Sequence, residues 1–246
     1  MVEALINLTD IGPRTRVVEF GCGTGQLSLP LAATGAELTC VEPGARLAAI
    51  ASRNLSQFGT ARVECATLED WPLPTERFDA VVVANAFHWF DMEMRFARPA
   101  ELLRAGGSLA ILHTHHVDGG TPGFAEESQH CYLRSGLAAD LTFRLPNPDE
   151  LPASYPELDG PGAYASVRRE RFEMPTTYTT HEYVGMLRTD SLVNTLDPVA
   201  RAQFLDDIGS LIQSSFGGAV RRNYLYELVV ATRAGGPHEE REHLQS

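Results

Sequence analysis

The sequence predicts a doubly wound α/β fold, and three features of the chain support this prediction. Short apolar runs rich in β-branched residues alternate with amphipathic helical stretches along the chain. The first of these runs, residues 17–20, breaks into closely spaced glycines and is followed by helical sequence. A later run, residues 78–84, is almost wholly apolar, as expected for a central strand that is buried on both faces. A strand, a glycine turn and a helix in this order predict a ligand site at the carboxyl edge of a parallel sheet.

The glycine turn has an unusual composition for a nucleotide site. Residues 17–25 read VVEFGCGTG, so the glycines alternate with other residues, whereas the dinucleotide fingerprint has two residues before its third glycine. Alternating glycines allow a sharp turn at positive φ and leave room for a ligand near the main chain. Glu19, at the strand end, would repel a phosphate but suits a cationic ligand. The alternative interpretation is a tight strand–helix turn without a ligand.

Length and charge restrict the classes of partner. The 246 residues suit one large α/β domain, or one domain with an inserted cap. The formal net charge is −12 and there is no run of Lys and Arg, which argues against nucleic acid and anionic membranes as partners. An anionic small substrate, which needs only one or two local arginines, is still compatible. Neither a membrane-spanning run nor a signal peptide is recognisable, so we expect a cytoplasmic protein.

The cysteines give no sign of a metal site, because none of them is paired at a metal-ligand spacing. We expect all of them to be buried free thiols in a reducing compartment. They are Cys22, Cys40, Cys65 and Cys131.

The glycine motif resembles motif I of the class I S-adenosylmethionine (SAM)-dependent methyltransferases. The resemblance extends over residues 15–112 and, less closely, 169–234. It implies SAM as cofactor, S-adenosylhomocysteine (SAH) as product and a seven-stranded Rossmann-like sheet of order 3-2-1-4-5-7-6. SAM is a sulfonium cation without phosphate, so an acid beside the turn makes electrostatic sense. The cofactor residues implied here are Glu19, Gly21, Cys22, Gly23 and Gly25.

The next elements add candidates for binding the rest of the cofactor. A helix is predicted over residues 2–8, a strand over 36–41, a helix over 45–58 and a strand over 62–65. Glu42 and Pro43 follow the second strand, at the distance from the glycine turn where an acid binds ribose hydroxyls. The alternative for Glu42 is an acid on a solvated turn.

The loop after the third strand resembles the part of the family that borders the adenine. The resemblance assigns Thr67 and Leu68 to the base, with Glu69 nearby. Trp71 is predicted to be a packing residue rather than a stacking platform.

The end of the fourth strand provides the candidate catalytic residue. The segment 85–90 resembles the motif IV region, which implies that Asn85 and Ala86 meet the methionine part of SAM. Its His–Trp pair is similar to that of small-molecule enzymes such as the trans-aconitate methyltransferase group. We predict that His88 accepts a proton from the acceptor or binds its carboxylate, the alternative being a structural histidine. Trp89 is predicted either to line the substrate pocket or to pack in the core.

A helix is predicted over 92–104, ended by the glycines at 106 and 107, and a fifth strand over 108–112. Three histidines follow within residues 113–116, and strand alternation places His113 and His115 on one face, with His116 opposite. No carboxylate cluster accompanies them, and methyl transfer needs no metal. We therefore predict no metal site, and a polar wall of the substrate pocket that includes His115.

The second half of the chain is expected to begin with an inserted cap, residues 118–164, with a helix over 123–137. Its aromatic residues are candidates for a lid over the substrate: Phe124, Tyr132, Tyr155 and Tyr164.

The remaining elements are predicted to complete the sheet. They are a strand over 165–178, a helix over 181–188 capped by Thr180, a helix over 198–216 opened by Asp197, and a strand over 224–232. The string YVGMLRTDS resembles a segment that closes the substrate pocket in the same enzymes, which makes Tyr183 and Arg188 candidates for anchoring an anionic substrate. The alternative for Arg188 is a surface salt bridge.

These predictions give a cofactor-binding core (1–117), a cap (118–164), a part that completes the core (165–233) and a disordered tail (234–246). The predicted function is methyl transfer from SAM to O, N or C of a small-molecule acceptor. One alternative is a SAM-binding protein without this activity, a regulator or partner subunit. It is favoured by the short sequence before the glycine turn, where the family usually has an arm over the substrate. An NAD-dependent oxidoreductase is disfavoured by the glycine spacing and by Glu19.

Overall fold

The computed structural model describes residues 1–160 and 162–235. Its seven strands form one sheet of order β3-β2-β1-β4-β5-β7-β6, which confirms the predicted order. The strands are β1 (Arg16–Phe20), β2 (Glu37–Val41), β3 (Ala61–Glu64), β4 (Phe78–Ala84), β5 (Leu103–Val117), β6 (Tyr164–Thr179) and β7 (Ala219–Arg233).

The first five strands run parallel, with β1 between β2 and β4. Phe20 lies opposite Val41 on one side and Val83 on the other, so these strands end at nearly the same level. Their carboxyl ends therefore meet at one edge of the sheet. This edge is where a doubly wound sheet binds its ligand.

Helices follow the strands as in the predicted α/β alternation. They are α1 (Val2–Thr9), α2 (Ser28–Ala33), α3 (Ala45–Leu55), α4 (Ala97–Leu102), α5 (Phe124–Ser135), α6 (Thr180–Leu187) and α7 (Pro198–Ser215). None of the helices within the described residues combines the length and the apolar composition needed to cross a membrane.

The chain divides into two compact units. Within the described residues, unit 1 consists of Met1–Thr114, Ala153–Phe172 and residues 226–235. Its apolar residues form two clusters, and strand alternation decides which cluster a residue joins. Val18 of β1 belongs to one cluster and Val17 to the other, so both faces of the sheet are covered.

Unit 2 consists of His115–Pro152 and Glu173–Leu225. Its core is formed mainly by α5, α6 and α7 and is rich in aromatic rings. Phe124 packs edge-to-face on Tyr183 with 5.2 Å between the ring centroids. The division of roles into core, cap and completing part remains a prediction.

The predicted boundaries around the fifth strand are wrong. The helix expected over 92–104 is limited to α4, and β5 begins directly at Leu103 and continues to Val117. The glycines lie inside this strand rather than ending a helix. A Cβ on Gly107 would lie 3.1 Å from the backbone carbonyl oxygen of Asp79. A glycine at this position therefore allows β5 to approach β4 where the register between them shifts.

The cap of α6 also differs from the prediction. Thr179, not Thr180, is the N-cap residue, because its hydroxyl accepts a hydrogen bond from the Glu182 amide at 3.3 Å. The Glu182 carboxylate accepts one in return from the Thr179 amide at 2.8 Å. This reciprocal capping box starts the helix one residue earlier. Asp197 caps α7 as predicted.

Burial overturns two further expectations. Cys65 is exposed, because it follows the last residue of edge strand β3, whereas the other three cysteines are buried. Phe124 and Tyr164 are core residues of their own units and not exposed lid residues. The predicted disorder of the tail concerns residues that lie, from 236 on, outside the described part of the chain.

Candidate functional site

The turn after β1 is closed by backbone hydrogen bonds and by positive φ angles. Gly21 N donates to Val41 O at 2.8 Å, and Gly25 N donates to Cys22 O at 2.9 Å. Gly21, Gly23 and Gly25 have φ angles of 69°, 57° and 87°. Other residues rarely adopt these angles, which explains the three glycines.

The glycines differ in what surrounds them. A Cβ on Gly21 would lie 2.4 Å from the Cβ of Ala86, so this glycine is required by packing between the ends of β1 and β4. A Cβ on Gly23 would meet nothing within 4 Å. The open space at Gly23 is therefore where a ligand can approach the main chain.

Glu42 connects the turn after β2 to the glycine turn. One carboxylate oxygen accepts a hydrogen bond from Gly23 N and the other accepts one from Gly44 N, each at 2.9 Å. The side chain is buried, yet each oxygen keeps acceptor capacity beyond one bond. Glu42 thus shapes the turn and can still receive ligand hydroxyls. Pro43 follows it and accepts a hydrogen bond through its carbonyl from the Cys65 thiol.

Glu19 is buried at the end of β1, where Ser28 Oγ donates to its carboxylate at 2.6 Å. Burial raises the pKa of Glu19 to about 7, although the hydrogen bond from Ser28 opposes this shift. Across residues 1–160 and 162–235, neither Glu19 nor Glu42 has a basic side chain at ion-pair distance. The turn consequently has buried acids and no fixed cation, which fits a cationic ligand without phosphate.

The thiol of Cys22 belongs to the same turn and is buried. Its pKa is raised by the neighbouring Cys40 thiol, by burial and by the charges of Glu19 and Glu42. The thiol therefore stays protonated and is not a nucleophile.

The loop after β3 presents mainly backbone to a ligand. The Leu68 side chain is only 2% exposed and packs in the core, so its main chain is the part that remains for a base. Thr67 is half-buried and its hydroxyl donates to the Asp70 carboxylate at 3.1 Å. Trp71 is buried edge-to-face against Phe20 at 5.5 Å, so the predicted packing role is confirmed.

Two hydrogen bonds of Asn85 connect the end of β4 to β5. Its backbone amide donates to Leu112 O, and its side-chain oxygen accepts a hydrogen bond from Thr114 N, both at 2.9 Å. It has a φ of 54°, unusual for a residue other than glycine. This conformation turns the chain sharply and brings Ala86 against Gly21.

His88 lies in the helical turn Phe87–Trp89 directly after this bend. Phe87 is buried and anchors the turn, with its ring 4.9 Å from that of Tyr155. His88 and Trp89 are exposed, Trp89 at 76%, so Trp89 does not pack in the core of unit 1. A basic side chain is thus presented at the sheet edge that carries the glycine turn.

His113 lies beside His88, with 6.4 Å between the ring centroids. His113 is not among the predicted substrate residues, although strand alternation groups it with His115. Among the described residues, no three His, Cys, Asp or Glu side chains are arranged to hold a metal ion.

The remaining predicted substrate residues lie in unit 2. His115 is half-buried in β5. Tyr183 is 3% exposed, and its hydroxyl accepts a hydrogen bond from Arg222 Nη1 at 2.9 Å. Arg188 is exposed at the end of α6, and no acid of the described residues lies within ion-pair distance of it, so the surface salt bridge that was the alternative interpretation is not formed.

Comparison with known proteins agrees with this geometry. Residues 17–107 match a family described as a methyltransferase domain. The chain is 25% identical over 201 residues to the uncharacterized methyltransferase Rv3342 of Mycobacterium tuberculosis, covering 80% of this chain and 73% of that protein. It is 27% identical over 234 residues to the trans-aconitate 2-methyltransferase of Deinococcus radiodurans, covering 90% and 88%.

Among solved structures, the fold is similar to that of the YcgJ protein from Bacillus subtilis. The TM-score is 0.57 at 15% identity, and the alignment covers 96% of this chain and 98% of that one.

Proposed function

This chain belongs to the class I SAM-dependent methyltransferases, and we propose that it transfers the methyl group to an oxygen, nitrogen or carbon atom of a small-molecule acceptor. The observation that carries the proposal is the exposed His88, which follows β4 at the sheet edge where the glycine turn ends β1. A small acceptor is supported by the long alignment with the trans-aconitate enzyme. The acceptor itself need not be trans-aconitate.

The cofactor supplies an activated methyl group on a sulfonium. In the proposed site, Gly21 and Gly25 shape the turn, and the open space at Gly23 admits the ligand to the main chain. Glu42 receives the ribose hydroxyls on the acceptor capacity left by its two backbone bonds. The carboxylate form of Glu19, which gains population as the pH rises through about 7, favours the cation.

The rest of the cofactor is assigned to the neighbouring loops. We assign the base to Thr67 and to the main chain of Leu68, and the methionine part to Asn85 and Ala86. Pro43 and Cys22 complete the wall. These assignments agree with the location of all six residues in unit 1.

His88 has one of two roles, depending on the acceptor. If the attacking atom is a hydroxyl or an amine, His88 removes its proton as a general base. If the attacking atom is a carboxylate oxygen, no proton has to leave and His88 only orients the acceptor. In both cases the protein mainly aligns the nucleophile with the methyl group, and Trp89 lines the acceptor side.

Replacing His88 tests the proposal. SAH binding is measured by calorimetry, and methyl transfer is measured with methyl-labelled SAM on a panel of small carboxylic acids, phenols and amines. We expect micromolar SAH binding at one site. For a hydroxyl or amine acceptor, His88→Ala should lower turnover by about 10²–10⁴-fold, the range of general acid–base catalysis, with SAH affinity unchanged.

His130→Ala is the matched control, because His130 is an exposed histidine on α5 in unit 2. It should leave turnover unchanged. If His88→Ala and the wild-type protein have the same turnover, His88 has only a structural role. SAH binding without transfer to any small acceptor would instead favour a SAM-binding protein with another role.

A further inference from the structure

Arg222 of β7 is held in unit 2 by two uncharged partners. Its Nη1 donates to the Tyr183 hydroxyl at 2.9 Å, and its Nη2 lies 2.7 Å from His116 Nδ1. The His116 ring in turn packs edge-to-face on the ring of Tyr224, with 5.1 Å between centroids. The Tyr224 hydroxyl lies 3.1 Å from that of Tyr178. The guanidinium is therefore lined by aromatic side chains.

No carboxylate neutralises this guanidinium. Within the parts of the chain that the structure describes, Arg222 forms no ion pair, and its Nε is buried without a hydrogen-bond partner. Arginine carries five N–H donors, of which these two contacts use two. Because Nε is buried, the donors that remain for a ligand are the second N–H of Nη1 and the second N–H of Nη2.

The nearby acid does not fill this role. Asp190 influences His116 electrostatically, but one oxygen of its carboxylate accepts the amides of Leu192 and Val193 at 2.9 and 3.1 Å. The positive charge of Arg222 is thus balanced only at a distance.

The two partners remain neutral, so they do not change the charge of the cluster. Enclosure of the ring and the charge of Arg222 lower the pKa of His116 to about 4, although Asp190 opposes the shift. Burial raises the pKa of Tyr183. At neutral pH His116 Nδ1 is therefore a lone-pair acceptor for Arg222, and the cluster carries one positive charge.

Several other half-buried arginines of the chain have acids as partners. Arg169 binds Asp159 through both terminal nitrogens at 2.8 and 3.1 Å, and Arg95 Nη2 lies 2.6 Å from the Glu157 carboxylate. A charge taken out of water is costly unless it is paired. Arg222 has no such partner among the described residues, and its cluster reaches solvent, since Arg222 is half-buried and part of His116 is exposed.

We propose that Arg222, held by Tyr183 and His116, binds the carboxylate group of a small anionic ligand. The planar guanidinium fork matches a carboxylate, which can accept two parallel N–H bonds. The inference does not depend on the proposed function, because the anion site is defined by residues of unit 2 alone. Within this unit, Arg222 is a stronger candidate for binding an anion than the exposed Arg188.

The test measures anion binding to the full-length protein saturated with SAH. Calorimetry is performed with trans-aconitate, benzoate and inorganic phosphate. We expect at least one of the two carboxylates to bind, and Arg222→Gln to weaken that binding at least tenfold without changing SAH affinity. Arg222→Lys, which keeps the charge but loses the fork, should lie in between.

Two further variants keep the result interpretable if Arg222→Gln folds poorly. Tyr183→Phe removes only the hydroxyl that holds Nη1 and should weaken carboxylate binding several-fold, with the edge-to-face packing on Phe124 retained. Arg221→Gln is the control, because Arg221 is the exposed neighbour whose backbone, not its side chain, bonds Thr121. Arg221→Gln should change neither carboxylate binding nor SAH affinity.

The outcomes separate the inference from the proposed function. Carboxylate binding that is unchanged in Arg222→Gln, or absent from the wild-type protein, would overturn the inference, as would binding of phosphate alone. Methyl transfer to an acceptor would then still support the proposed function. Conversely, Arg222-dependent carboxylate binding without any methyl transfer would support the site and contradict the function.

Discussion

Two regions of the molecule enclose charge without pairing it, and the charges have opposite sign. In unit 1, Glu19 and Glu42 are buried around the glycine turn without an ion-pair partner among the described residues. In unit 2, Arg222 is enclosed by Tyr183 and His116, likewise without one. The contrast suggests ligands of opposite charge, a cationic cofactor for unit 1 and an anionic group for unit 2.

Elsewhere the same chain pairs its enclosed charges. Glu227 of β7 is fully buried, and it receives the Ser154 amide and the Arg171 guanidinium. Burial opposes its ionisation, but the hydrogen bonds from Ser154 and the charge of Arg171 hold the pKa of Glu227 below its usual value. An acid with only a structural role is thus supplied with a cation, so the lack of one at Glu19 and Glu42 is informative.

The largest effect on stability is expected in the glycine turn, where two substitutions distinguish a glycine required by packing from a glycine beside the proposed ligand. Gly21→Ala combines a left-handed φ with a contact 2.4 Å from the Ala86 Cβ, and should lower the free energy of unfolding by about 2–5 kcal/mol. Gly23→Ala has the strained φ but free space, and should cost about 1 kcal/mol.

Chemical denaturation measures the stability of both variants, and calorimetry with SAH measures binding. Gly23→Ala should weaken SAH binding at least tenfold despite its small effect on stability. If its SAH affinity equals that of the wild-type protein, the open space at Gly23 is not the ligand site and the comparison with unit 2 fails.

The second-largest expected effect is a pH dependence of the folding stability, caused by Glu19. Its pKa is about 7 in the folded protein and 4.5 in the unfolded chain, so the folded state retains a proton that the unfolded state releases. This group therefore contributes stability that is complete below pH 4.5 and lost as the pH rises through about 7. The shift corresponds to about 3 kcal/mol.

Unfolding with urea between pH 4.5 and 8 measures this dependence. Glu19→Gln keeps an acceptor for Ser28 but cannot ionise, so the difference in stability between variant and wild type should change across this window. A constant difference would show that Glu19 is not strained by its burial.

The smallest of the three effects on stability is expected at Glu227, the buried acid that is paired with Arg171. Arg171→Leu leaves Glu227 buried with Ser154 but without Arg171, and should cost about 2 kcal/mol. Arg168→Leu, at an exposed position of the same strand, should cost little. Adding Glu227→Gln to Arg171→Leu should recover part of the loss, as a double-mutant cycle shows. Equal losses for the two arginines would remove the distinction between paired and unpaired acids.

Much of the fold could be predicted because local signals agree with the tertiary structure in the first half of the chain. The alternation of short apolar runs and helices predicted the fold class, and the resemblance of residues 17–25 to motif I of the methyltransferases implied the correct sheet order. Boundaries failed where long-range contacts decide them. Gly106 and Gly107 are typical of a helix end, yet they lie in β5, because close approach to β4 near Asp79 requires a residue without a side chain.

The candidate site was predictable to the extent that it consists of backbone turns at strand ends. The turn after β1 and the acid after β2 follow from spacing alone, although the bonds from Glu42 to Gly23 and Gly44 do not. Arg222 could not be found in this way. It is the second of two adjacent arginines without a motif, and only folding distinguishes the enclosed Arg222 from the exposed Arg221.

The sequence by itself determined the fold class, the glycine turn and the cofactor chemistry, because these depend on backbone conformations and residue types that are local in the chain. Tertiary structure decided which charges are neutralised. Residues 106 positions apart, His116 and Arg222, meet in unit 2, whereas Glu19 meets only Ser28. Whether a charge finds a partner depends on distances of a few ångströms between segments remote in sequence, and spacing along the chain does not encode those distances.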